Sequence, residues 1–294
     1  MEGLLLVGGP TSAEFWSPGC RCSMARLDSG LSETRNDLTL DKVTGSIITC
    51  LRSSCEKLGE GGWEEVVATR RGREDHTTAG HGERLLLVGG SASPSTSEWV
   101  HPDGGETEEG FEITPGRQGH CSVLMPGSKM LLIGGKSTGD QVTAYSLPDG
   151  HQEDLASLKE AREAHACGSY TFDGKQVNWI HESYLVNPPQ VLIVTGGMDP
   201  GSGRRLASTE LLAFPEGVEW TSGGELPTAR SFLSSNTFGT SFFVTGGSDG
   251  NILTDILQWN PTSEVWEKVA DMKRKRWKHA TAVVLFDEIS GFCD

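Results

Sequence analysis

A pair of glycines closing a short apolar run returns five times along this chain, and no other feature restricts its fold so strongly. The pairs are Gly8-Gly9 after LLLV, Gly89-Gly90 after LLLV, Gly134-Gly135 after MLLI, Gly196-Gly197 after VLIVT and Gly246-Gly247 after FFVT. Apolar runs this short, each cut off by a turn signal, read as strands. Repetition at such a period means a stack or ring of similar units, because one unit cannot bury its own apolar face. The 38 glycines among 294 residues fit many short strands joined by turns.

A second marker fills a gap in the first. Arg-x-x-His or a close variant begins at Arg35, Arg73, Arg117, Arg162, Arg230 and Arg276. The Gly pair follows 16 residues after Arg73, 17 after Arg117 and 16 after Arg230. Sixteen residues after Arg35 stands Leu51, so Cys50-Leu51 occupies the place of a worn pair. From Arg162 the interval is 34 residues, and the excess reads as a loop insertion over about 178–190. Aromatic residues mark a third phase: Trp63, Trp220 and Trp266 each stand 10 residues before an arginine of the series, with Phe111 a looser equivalent.

The best-kept unit, Ser231 to Met272, contains four short segments, each bounded by Gly, Asn, Pro or Ser. Four consecutive antiparallel strands in about 45 residues make a propeller blade. The unit resembles the kelch repeat, through the Gly pair, through Trp259 in TDILQWNP and through Trp266. The expected fold is therefore an all-β, six-bladed propeller forming a single domain. Blade 1 takes 2–34 with 276–290, blade 2 (degenerate) 35–72, blade 3 73–116, blade 4 117–161, blade 5 162–229 and blade 6 230–275. MEGLLLVGG reads as a second strand lacking its first, and RWKHATAVVLFDE as a first strand lacking its second. Pairing them closes the ring and removes an open sheet edge, as a complete propeller requires.

In a four-strand meander the loops after strands two and four emerge on the same face. Arg35, Arg73, Arg117, Arg162, Arg230 and Arg276 should therefore ring that face near the loops following the Gly pairs, over 91–97, 136–141, 199–205 and 248–251. Such a ring would recognise carboxylates or phosphates through bidentate hydrogen bonds; the competing role is a salt bridge between blades. Kelch adaptors of Cullin-type ubiquitin ligases recognise acidic peptide motifs with arginines on such a face, and the resemblance implies a similar protein-binding scaffold here. BTB and BACK domains usually precede such propellers, and this chain has no room for them. The alternative is a sialidase-like propeller enzyme acting on an acidic sugar, which needs a Glu or Tyr nucleophile or base beside the arginines.

The remaining motifs point away from chemistry. GGSDG (246–250) matches a nucleophile elbow by letter but leads into a strand. The Gly pairs are expected to serve turns with positive φ or close blade packing, and Trp63, Trp220, Trp259 and Trp266 the blade interiors. His76, His120, His165 and His279 share one repeat phase with Leu38 and Leu233, which favours packing between blades. Cys20-x-Cys22 and Cys50-x4-Cys55 match no strong zinc spacing, so free buried thiols are expected, with a disulfide between strands of the first two blades as the alternative in a secreted protein. KRKR, Lys273 to Arg276, reads as solvated loop charge in preference to a nuclear-import signal. No enzymatic activity, cofactor or metal is expected, and the chain should act as a monomer. A net charge of -15 disfavours nucleic acid and anionic membranes as partners. The lack of a signal peptide, the odd cysteine count of seven and the absence of a glycosylation sequon point to the cytoplasm, unless a leader has been lost.

Overall fold

The computed structural model describes residues 2–8, 13–18, 20–24, 38–171, 190–215, 217–238 and 240–289. They form six sheets of four antiparallel strands each. The first strands of successive blades touch in a closed ring around a central channel. In blade 6 the strands are Ser234–Phe238, Ser241–Thr245, Asp255–Asn260 and Val265–Asp271, running outwards in chain order. The expected seam is present: His279–Leu285 is the inner strand of blade 1 and pairs with Glu2–Gly8 from Glu2↔Leu285 to Gly8↔His279.

The apolar interior lies between the blades. Six clusters of buried side chains occur, one at each interface of neighbouring blades. The second strand Arg84–Val88 is buried from Leu85 onwards because both of its faces meet a neighbouring blade. That is why these runs are continuous and not alternating. The outer-strand tryptophans reach back across an interface: Trp220 donates to the Ala156 carbonyl of blade 4 at 2.9 Å, and Trp266 to Thr209 Oγ1 of blade 5 at 2.9 Å. Phe111 turns the other way and stacks on Tyr145 of blade 4, with centroids 5.3 Å apart.

The Gly pairs tie each blade to the next. The second glycine donates to the carbonyl of the following blade's marker arginine: Gly90 to Arg117, Gly135 to Arg162, Gly197 to Arg230 and Gly247 to Arg276, at 2.8–2.9 Å. A side chain on Gly89 would bring its Cβ within 2.4 Å of the Arg117 carbonyl oxygen, and Gly89 has φ +65°. Both the backbone angle and the approach therefore demand glycine. In blade 2 strands two and three, Ser46–Cys50 and Ser54–Gly59, are joined by only 51–53. So tight a hairpin has no use for the pair, and the link to blade 3 runs from the Arg73 N–H to the Arg52 carbonyl at 2.8 Å. In blade 5, Gln190 already begins the second strand, while the rest of the expected insertion lies within 172–189, outside the described residues, as do Gly9 and Arg35.

Two cysteine pairs correct the expectation of free thiols. Cys50 and Cys55, directly opposite each other in adjacent strands, form a disulfide. Cys121 and Cys167 join the inner strands of blades 4 and 5. Cys50 and Cys55 are thus unavailable as zinc thiolates. The Cys121–Cys167 link spans 46 residues, for which loop entropy gives about 4 kcal/mol. Reduction should lower the urea midpoint, and the Cys121→Ala/Cys167→Ala variant, which keeps Cys50–Cys55, should show most of that fall without reductant. A midpoint indifferent to reductant would refute the contribution of this link.

Candidate functional site

The expected arginine ring is where the repeat phase put it in the blades but not at the surface. Arg73, Arg117, Arg162, Arg230 and Arg276 are at most 1% exposed. Each guanidinium turns into its own blade and donates to the carbonyl of the first glycine of the pair. Arg73 reaches Gly89 O at 2.7 Å, Arg117 reaches Gly134 O at 2.9 Å, and Arg162 reaches Gly196 O at 2.9 Å. Arg230 bonds Gly246 O at 3.2 Å, and Arg276 bonds Gly8 O. A second bond reaches the start of strand three, at Thr96 O, Gln141 O and Ser208 O in blades 3, 4 and 5. The ends of strands two and three diverge around the loop there, leaving carbonyls that only a long forked donor can satisfy. The arginines are therefore braces within blades, neither a ligand ring nor bridges between blades.

Strand three supplies the counter-charge, which the sequence reading missed. Glu14, Glu98 and Glu210 are at most 2% exposed. Glu210 Oε1 accepts from Arg162 Nη2 at 2.6 Å, and its carboxylate also accepts the N–H groups of Lys159 and Glu160. Glu98 accepts from the Arg70 N–H at 2.6 Å and Glu14 from the Lys273 N–H at 2.9 Å. Each glutamate holds the exit of its blade's neighbouring outer connection. The available signal was an acid recurring inside apolar third strands, in SAEFW, TSEWV and STELL.

The histidines pack between blades as expected. His120 Nε2 lies 2.9 Å from Thr77 Oγ1 of blade 3, and His279 Nε2 lies 2.7 Å from Thr245 Oγ1 of blade 6. Burial, reinforced by the marker arginine beside each, pushes His76 down to about 4 and both His120 and His279 down to about 3. His165 is held well below the ordinary histidine value for the same reasons. All four are neutral at physiological pH. Among the described residues no cluster of three or more potential metal ligands occurs. In the KRKR run, Arg276 is locked to Gly8 O while Lys273, Arg274 and Lys275 are exposed.

The arginines set the rim of a cavity without lining it. Two residues after each, the chain adopts a left-handed turn: φ is 52° at Asp75, 61° at Gly119, 52° at Ala164, 57° at Phe232 and 48° at Lys278. These residues are linked around the channel by N–H to carbonyl bonds, from Gly119 to Asp75, Ala164 to Gly119, Phe232 to Ala164 and Lys278 to Phe232, at 2.8–3.0 Å. Within this circle opens a cavity of about 310 Å³, walled by the rim residues, by the histidines beneath, and by Lys136 and Met198 from post-Gly loops. The arginines stand beside the face on which this cavity opens, but the side chains that reach the cavity are those that follow each arginine in the marker. Lys278 Nζ lies 3.3 Å from Asp75 Oδ1 and 4.9 Å from the centre of the Phe232 ring.

Blade 6 supplies the relationship to known proteins: residues 229–273 match the Kelch motif family model. The chain is a six-bladed β-propeller with a Kelch motif in blade 6. No curated protein matches the chain. Among solved structures, that of YjhT is similar, at 13% identity over 83% of this chain and 86% of that one, with a TM-score of 0.64. At that identity the likeness concerns the fold alone. No helix among the described residues of the propeller is long and apolar enough to cross a membrane.

Proposed function

We propose that the kelch propeller is a non-enzymatic protein-interaction scaffold that engages its partner on the face carrying the post-Gly loops. The observation carrying this reading is the open cavity at the channel mouth, lined by residues of all six blades, five of which are joined in a hydrogen-bonded rim. A rigid concave frame with exposed loops around it is what a binding surface needs. An acidic peptide gripped by the marker arginines finds no support, because those guanidiniums are enclosed. The rival reading, an enzyme on an acidic sugar, needs arginines beside a nucleophile. Glu163 lies on the rim, but among the described residues no arginine or tyrosine lines the cavity.

Capture from lysate with the intact chain and a Lys136→Glu/Met198→Glu variant tests the face. Both positions lie on loops beyond the blades, so circular dichroism should be unchanged. Partners missing only from the variant support the assignment, and identical partner sets refute it.

A further inference from the structure

Among the described residues, one carboxylate at the channel mouth has no direct ion pair. Asp75 is neutralised by Lys278 at 3.3 Å. The half-buried Glu163 carboxylate has no ion pair or hydrogen bond among the described residues. Burial raises its pKa, Lys136 acts in the opposite sense, and the Asp75 carboxylate raises it further. Lys136 is itself exposed and well solvated on its loop. Apolar surface adjoins the carboxylate. Met198 pairs with Glu163 through two backbone hydrogen bonds, of 2.8 and 2.9 Å, and Ala164 and Phe232 follow along the rim.

The rim backbone makes a second argument. A left-handed residue is most readily glycine, and only Gly119 takes that option. The other four described blades hold Asp75, Ala164, Phe232 and Lys278 there in spite of the strain. Strain retained around a cavity marks side chains kept for what they present to it.

We infer that the mouth receives one cationic side chain, lysine or arginine, projected by a bound partner. Glu163 is its counter-ion, and Ala164 and Met198 pack along its methylene stem. Such a side chain joins an apolar stem to a charged head, and the cavity's volume is near the lower end of ligand pockets. The inference rests on the assignment of the binding face made above.

Calorimetric titration of the full chain at low salt tests it with four probes: the N-acetyl amides of arginine, lysine, norleucine and glutamate. The arginine and lysine probes should bind with dissociation constants on the order of millimolar, with norleucine weaker and glutamate silent. Glu163→Gln, folded by circular dichroism, should weaken the cationic probes at least about tenfold, whereas Lys136→Ala should leave them as tight or tighter. Preference for the glutamate probe, indifference to Glu163→Gln, or no heat from any probe would each overturn the inference. If a protein partner is captured through this face while no probe binds, the cationic guest is refuted and the face stands. If the probes bind while the partner ignores Lys136→Glu/Met198→Glu, the face assignment alone fails.

Discussion

Replacing Arg162 with methionine lowers the unfolding free energy by about 3–5 kcal/mol, the range for removing one member of a buried ion pair. The guanidinium is fully enclosed and satisfies Gly196 O, Ser208 O, Ser208 Oγ and Glu210 Oε1. Methionine fills most of the volume but leaves two backbone carbonyls without their donor and a buried carboxylate without its cation. The loss is a large share of the stability of an ordinary domain. Urea unfolding followed by tryptophan fluorescence measures it. Arg162→Met/Glu210→Gln should recover part of the loss, since the stranded charge is gone while an acceptor oxygen remains for the Lys159 and Glu160 N–H groups. A loss of under about 1 kcal/mol, the range of solvent-exposed pairs, would contradict a brace at this position.

Acid should unfold the propeller well before its carboxylates are all protonated. A histidine held neutral by burial has a native pKa below its unfolded one, so below about pH 6.5 the unfolded chain binds protons that the native state refuses. The stability this represents is complete above that pH and is lost as pH falls towards about 4 for His76 and about 3 for His120 and His279. Each histidine removes up to about 1.4 kcal/mol per pH unit within that window. With His165 behaving alike, the four together remove several kcal/mol by pH 5. Asp41 opposes them weakly: burial raises it to about 6, so its contribution is present at low pH and lost as pH rises through that value. The urea midpoint should therefore drop steeply from pH 7 to 5. His76→Leu, which copies Leu38 and Leu233 at the equivalent places, should make the slope shallower. A midpoint constant over that range would show that the histidines are not held neutral in the native state.

Much of this architecture was legible because a propeller repeats its constraints. The Gly pair records a spot where the next blade's carbonyl comes too near for a Cβ, and that spot recurs at Gly89, Gly134 and Gly246. The split blade was legible because one unpaired strand at each end has a single partner that leaves no open edge. In blade 2 the loss of the pair shows in the sequence, whereas the three-residue hairpin that makes it unnecessary does not. The cysteine pairing was not legible: Cys121 and Cys167 lie 46 residues apart and meet only because adjacent inner strands do.

By itself the sequence determined the number of blades, the seam and the face on which the loops gather. These follow from spacing, and spacing is a property of the chain. Only the tertiary structure decided which way each side chain of the Arg-x-x-His marker points. The left-handed residue two places after the arginine reverses the backbone. It sends the arginine into its own blade and offers Asp75, Phe232 and Lys278 to the channel mouth. One-dimensional periodicity fixes a residue's phase in the repeat, but the direction of its side chain depends on a torsion angle set by the neighbouring blade.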